Sequence, residues 1–495
     1  MKKGMKTLMA TVAFAAAMCD VAANVADVRS YGAKGDGETL DTPAIQRAVD
    51  AASASGGGTV FVGHGRYVVA NLALKDNVSL HIAKDAVLLG STNKVDYSGR
   101  DDWFWAVVST FDAKNVAIEG EGVIDGRGWA SEIRSGARNR WRDVHFYRCR
   151  NVRVEGVTMK APGRWTLYLQ ECVDCVVRGV TIYGHANFNN DGIDIDAKNV
   201  LVENCVIDSD DDAICPKSNN PDFICENVEV RNCVLASNCN FIKFGTASHG
   251  GFRNCYIHDC TLRPCVESRF RKWNETDNIP SWRGRLGPLP GVTDKITGIA
   301  AVALEMVDGG VMENIRVSNI TFDNGGVQTP VLVRLGRRRV KPGVESVLRN
   351  CTIENLRGRS ASLIASSITG VPGLRPSGIT LRNFDLTLKG GGRTADAAEP
   401  VDEAEQNYPE NRMFGTMLPA YGFYVRHADG VRFENVRTRL YGEREERPPV
   451  VTDDCTDVTF NEACSFASGV SAPAIATGTP RSLRAEATGG KGTCQ

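Results

Sequence analysis

Asn199-Val200-Leu201-Val202-Glu203-Asn204-Cys205 is a phrase that this 495-residue chain repeats along most of its length. Apolar and polar side chains alternate in it at period two, with β-branched residues dominant, so it reads as a short strand with one face buried. The phrase returns as Asn115 to Gly120, Asn151 to Val157, Cys175 to Val180, Asn227 to Cys233 and Asn254 to Cys260. Later copies are Asn314 to Ile320, Val347 to Ile353 and Val431 to Val436. From Val154 through Val177, Val202 and Val230 to Ile257 the steps are 23 to 28 residues, a solenoid period. One such coil holds three short strands and their turns, with no room for a crossover helix. Stacked coils predict an all-β, right-handed parallel β-helix of about ten coils. A propeller would need repeats of about 40 residues and hairpin turns. Asn at a fixed place in each coil suits a tight turn, where it tolerates left-handed geometry and bonds backbone groups.

An open stack needs a cover for its end. Residues 41–55 predict that cap as a helix, with Thr42 as its N-cap, Pro43 in its first turn and Gly56-Gly57-Gly58 after it. Ala44, Ile45, Ala48, Val49 and Ala52 form its apolar stripe. Three insertions break the period: Trp129 to Arg142, Arg263 to Thr297, and Lys389 to Pro419. The first two carry Trp and Arg and are expected to wall a groove. Residues 24–466 are expected to form one domain, and 467–495, rich in Ala, Gly, Ser and Thr, a mobile tail.

With 58 basic and 59 acidic residues the net charge is −1, which offers no electrostatic case for nucleic acid or for an anionic membrane. Lys2, Lys3 and Lys6 precede an apolar run from Leu8 to Met18, and Val21-Ala22-Ala23 offers small residues for cleavage. Residues 1–23 therefore read as a signal peptide, and the protein is expected to be secreted or periplasmic. No segment is long and apolar enough to span a bilayer. Of the sixteen cysteines, Cys205, Cys233, Cys255 and Cys351 each follow an Asn in the repeat and are placed as small buried hydrophobes. Zinc-site spacing is missing, so neither metal nor cofactor is expected.

Asn189-Asn190-Asp191-Gly192-Ile193-Asp194 and Ser209-Asp210-Asp211-Asp212-Ala213-Ile214-Cys215 fall near one corner of successive coils. Crowded carboxyls repel, and one of them must keep its proton. A carboxylic acid beside a carboxylate is what glycoside hydrolysis uses, one to protonate the leaving oxygen and the other to activate water. A structural reading is turn bonding or calcium binding, more apt for Asp194, Asp196 and Asp210.

Asn190-Asp191-Gly192-Ile193-Asp194 resembles the Asn-Thr-Asp-Gly-Ile-Asp motif of glycoside hydrolase family 28, the polygalacturonase family. Asp211-Asp212-Ala213-Ile214-Cys215 with Lys217-Ser218 is similar to its Gly-Asp-Asp-Cys-Ile-Ala-Ile-Lys-Ser run. Tyr31 to Gly37, Gly56 to Val60, Ile124 to Gly128 and Pro162-Gly163-Arg164-Trp165-Thr166 extend the likeness, which runs from about Val28 to Ile320 and marks a divergent bacterial member. The resemblance implies that Asp211 is the general acid and that Asp191 and Asp212 hold and deprotonate the attacking water. It implies inversion at the anomeric carbon and a pectic substrate, galacturonide or rhamnogalacturonan in type. Asn190 and Trp165 are expected to bind substrate.

Two departures bear on that substrate. Where the family has His-Gly before Ser-Ile-Gly-Ser, the chain has Asn240-Phe241 before Ile242-Lys243-Phe244-Gly245-Thr246. Where the family has Arg-Ile-Lys, the chain reads Gly298 to Glu305 without a cation. Lys243, Arg334 or Arg337 is expected to supply the missing charge, each with a rival reading as an exterior strand residue. The rival functions are a polysaccharide lyase on the same fold, which needs an Arg or Lys base beside calcium, and a non-catalytic carbohydrate-binding β-helix.

Overall fold

The computed structural model describes residues 24–132, 138–267, 298–467 and 475–478. The expected signal peptide, most of the Arg263–Thr297 insertion and most of the tail lie outside them. Thirty-one strands hydrogen-bond into one continuous parallel array wound as a β-helix.

The repeat positions read from the sequence stack in register: Val154 faces Val177, Val177 faces Val202, Val202 faces Val230, and Val230 faces Ile257. The same file extends toward the N-terminus through Ile118, Leu80 and Val60 to Ala26. Beyond Ile257 it passes through Val317, Ile353, Leu381 and Phe433 to Phe460. That makes fourteen rungs, more than the ten or so expected, because the turns of the outer coils disguise the phrase. One apolar core fills the bore from Ala26 to Val458.

Asparagine turns the corners. Asn115, Asn151, Asn199, Asn227, Asn319, Asn355, Asn383 and Asn435 all hold φ between 51° and 56°. Their side chains also bond along the stack: Asn355 donates to Asn319 at 2.7 Å, Asn383 to Asn355 at 2.9 Å, and Asn435 to Asn383 at 3.0 Å. Each amide thus closes its own turn and ties it to the next.

Helix α1, Thr42–Ala54, covers the N-terminal end with Ala44, Ile45, Ala48, Val49 and Ala52 buried. Two details differ from expectation. Strands Val25–Asp27 and Asp36–Leu40 precede the helix, so the first rung forms before its cap. Asp41 flanks the helix start, and Thr42 accepts a hydrogen bond from the Ala70 amide, tying the cap to the barrel wall instead of capping its own turn. Near the other end, Ile475–Gly478 of the expected tail pairs with Val450–Asp453.

The Lys389–Pro419 insertion packs over the outer face of one sheet. Met413, Phe414 and Leu418 cluster there with Cys239, Ala303, Leu332 and Tyr424. The fourteen cysteines among the described residues are free thiols and twelve are buried, as expected of small hydrophobes.

Candidate active site

Strands Leu167–Arg178, Ile193–Glu203, Ile214–Pro216, Asn240–Phe244 and Gly298–Met306 lie on successive coils of one sheet. The candidate carboxylates sit in the turns that lead into them. Ladder bonds fix their order: the Thr166 amide donates to the Asp191 carbonyl, that of Gly192 to Asp212, and that of Ala213 to Asn240. Asp191, Asp212 and Asn240 therefore share one column. Gly192 permits the close approach, since a Cβ there would fall 2.5 Å from the Ala213 carbonyl oxygen.

Asp191, Asp211 and Asp212 converge on an open cleft of about 260 Å³, lined also by Trp165, Asn189, Lys217, Lys243, His249, Asp308, Arg338, Arg339 and Tyr408. Asp191 and Asp212 bring oxygens within 4.8 Å of each other, and so do Asp211 and Asp212. Asp211 accepts from the Asp212 amide at 3.0 Å and from Asn189 Nδ2 at 3.2 Å.

Two buried lysines share out the charge. Lys217 Nζ lies 3.0 Å from Asp194 and 3.4 Å from Asp191, over the Trp165 ring. Lys243 Nζ lies 3.0 Å from Asp212 and 3.6 Å from Glu305, and donates to the Tyr408 hydroxyl at 2.8 Å. Burial and the charges of Asp194 and Asp211 push the Asp191 carboxyl well above the usual range, against the pull of Lys217. Burial would raise Asp212 as well, but Lys243 and Lys217 bring it down to about 2. These surroundings favour the charged form of Asp212 and the protonated form of Asp191.

The expected site residues divide. Trp165 and Lys243 line the cleft with the three aspartates. Asn190 does not: it is fully buried, accepting from the Ala186 and Asn187 amides and donating to the Pro162 and Arg164 carbonyls. Asn189, at φ 55°, takes the cleft-facing place beside Asp211. Arg334 also lies away from the cleft. It donates to the carbonyls of Gly370, Glu403 and Ala404, fastening the 389–419 insertion to the barrel. Arg337 pairs with Glu405, whereas the next two residues, Arg338 and Arg339, reach the cleft. Tyr408 was missed, since no local signal links it to a lysine 165 positions away. Lys217 stood in a quoted motif without a role.

Residues 58–238 match the family model described as glycosyl hydrolases family 28. The matched span carries the whole carboxylate column. Over these residues the chain is similar to that family. An exo-poly-alpha-D-galacturonosidase of Dickeya chrysanthemi is 28% identical over 253 residues, which cover 38% of this chain and 41% of that protein. The chain thus matches under half the length of that relative. Polygalacturonase-2 of Solanum lycopersicum is 22% identical over 386 residues, covering 74% of the chain and 76% of the relative. In fold, the family 28 exopolygalacturonase of Yersinia enterocolitica superposes with a TM-score of 0.66 at 17% identity, over 88% of this chain and 78% of that one. The family and β-helix expectations are both borne out.

Proposed function

We propose that the chain is a glycoside hydrolase that cleaves α-glycosidic bonds in pectic polysaccharides, of galacturonide or rhamnogalacturonan type, and that it works outside the cytoplasm. The observation that carries this reading is the convergence of Asp191, Asp211 and Asp212 on one open cleft, where Lys243 and Lys217 favour a charged Asp212 and burial favours a protonated Asp191. Following the family pattern, Asp211 protonates the leaving oxygen while Asp191 and Asp212 hold the water. The galacturonosidase and polygalacturonase relatives support the substrate class.

Asp212 has oxygens within 4.8 Å of both Asp191 and Asp211, closer than the roughly 6.5–9.5 Å carboxyl spacing of most inverting glycosidases. Inversion therefore rests on the family resemblance and not on spacing. One observation favours a second assignment, in which Asp191 is the acid, because it is the carboxyl that its surroundings load with a proton. Lys217 and Lys243 are committed to carboxylates and Arg338 is paired with Asp308, so a uronate group would meet His249 and Arg339 in the cleft.

Reducing ends released from polygalacturonate and rhamnogalacturonan, followed alongside ultraviolet absorbance, test the proposal. Hydrolysis gives new ends without absorbance. An unsaturated product means a lyase, and no product from either polymer means a binding protein. Proton NMR of the first product reads the stereochemistry: inverted configuration is expected, and retention would require a covalent intermediate.

A further inference from the structure

We propose that Lys243 is the positioning residue that holds the Asp212 carboxylate for its work on water, and that Tyr408 fixes its ammonium in place. The inference deepens the hydrolase reading and rests on it. Lys243 belongs to strand Asn240–Phe244, whose Ile242 registers with Ile214, so its side chain emerges one coil below Cys215. An ammonium has three donors. One meets Asp212 Oδ2 at 3.0 Å, one meets the Tyr408 hydroxyl at 2.8 Å, and Glu305 Oε2 stands 3.6 Å away. The other oxygen of Asp212 accepts from the Asn240 amide at 3.1 Å and from Asn240 Nδ2 at 2.8 Å. Both residues that hold Asp212 thus lie in the segment where the chain departs from the family pattern.

A water-activating carboxylate must be ionised, yet Asp212 is as buried as Asp191, whose surroundings favour its proton. The difference lies in the partners. Asp212 faces Lys243 and Asn240 on the following coil, Lys217 and Cys215 on its own coil, Asp191 and Asp194 on the preceding coil, and Asp211 beside it. Glu305 is fully buried, its carboxyl oxygens have no hydrogen-bond partner, and burial raises it to about 8, with Arg338 and Glu410 also acting on it. A neutral Glu305 leaves the Lys243 charge to Asp212. Tyr408 completes the arrangement: the residue as a whole is 44% exposed, but its hydroxyl reaches in to Lys243 from the 389–419 insertion.

The experiment is a pH titration of the full chain carrying carboxyl-¹³C aspartate, with the Asp212 signal assigned by its loss in Asp212→Asn. In the unmodified protein that signal is expected to titrate below the ordinary aspartate range. In Lys243→Met it should move up by about one to three pH units, the effect of a lost opposite charge. Lys243→Arg should keep it low, and Tyr408→Phe should raise it by a smaller amount. An unmoved signal in Lys243→Met overturns the proposal. If that variant does not fold, an unmoved signal in Tyr408→Phe does the same. In turnover, the acid limb of the kcat/KM profile should move up with the signal in Lys243→Met. A chain that turns over no pectic polymer defeats the hydrolase reading alone, since the titration still decides the role of Lys243.

Discussion

Asp191, Asp211 and Asp212 share one cleft and have similar burial, so their separate duties must come from their neighbours. Asp→Asn preserves shape and removes both charge and proton transfer. Each of the three changes should leave the circular dichroism spectrum unchanged and lower kcat by at least roughly 10²–10⁴-fold, the usual worth of acid-base help. Nitrophenyl glycosides, whose leaving group needs no proton, separate the two assignments of the acid. Partial rescue of Asp211→Asn supports the family pattern, and rescue of Asp191→Asn in its place moves the acid to the carboxyl that carries the proton. The three aspartates were legible because charge crowding is visible in a linear sequence. The choice between Asn189 and Asn190 was not, since one left-handed residue reverses which side chain faces the cleft. Arg334 misled for a related reason. A charged residue in an apolar run marks something unusual, but only the folded chain shows that its partners are backbone carbonyls 36 to 70 positions away.

Strands and corners were the most legible elements, because period two and recurring Asn are local signals with a local cause. The Asn355 corner carries a testable cost. Its φ of 53° disfavours side chains other than Asn or Gly by about 1–2 kcal/mol. Its amide also bonds to Asn319 and accepts from Asn383. Asn355→Ala should therefore destabilise by about 2 kcal/mol in urea unfolding, and Asn355→Gly by less, since glycine keeps the turn and loses only the side-chain bonds. The 389–419 insertion was the least legible element, being aperiodic and held by distant groups. Removing its anchor with Arg334→Met leaves buried carbonyls unpaired, at about 1–3 kcal/mol for each such group. Limited proteolysis should then cut within 389–419 before the barrel is touched. Activity should fall with it, because Tyr408 leaves the cleft when the insertion lifts.

Across the whole molecule, buried carboxyls set how stability follows pH. Glu305, Asp196 and Asp194 are raised by burial to about 8, 7 and 6. The unfolded chain releases these protons first, so the stabilisation is complete below about pH 4 and is lost as pH climbs through the folded-state values. Asp212 acts in the opposite sense, its contribution disappearing as pH falls from about 4 toward 2. Calorimetry should show a melting temperature that declines between about pH 5 and pH 8, and Glu305→Gln should flatten the upper part of that decline. The fourteen-rung file has a mechanical consequence. Each rung leans only on the two beside it, so the chain behaves as a zipper, sealed by a thirteen-residue helix at one end and finished by the two-residue strand Thr459–Phe460 near the other. Shear applied to such a zipper parts it from the Phe460 side, tooth by tooth. The rungs of Val177, Val202 and Val230 that carry the candidate site sit at mid-length, so a chain worn at its carboxyl end should keep that site whole.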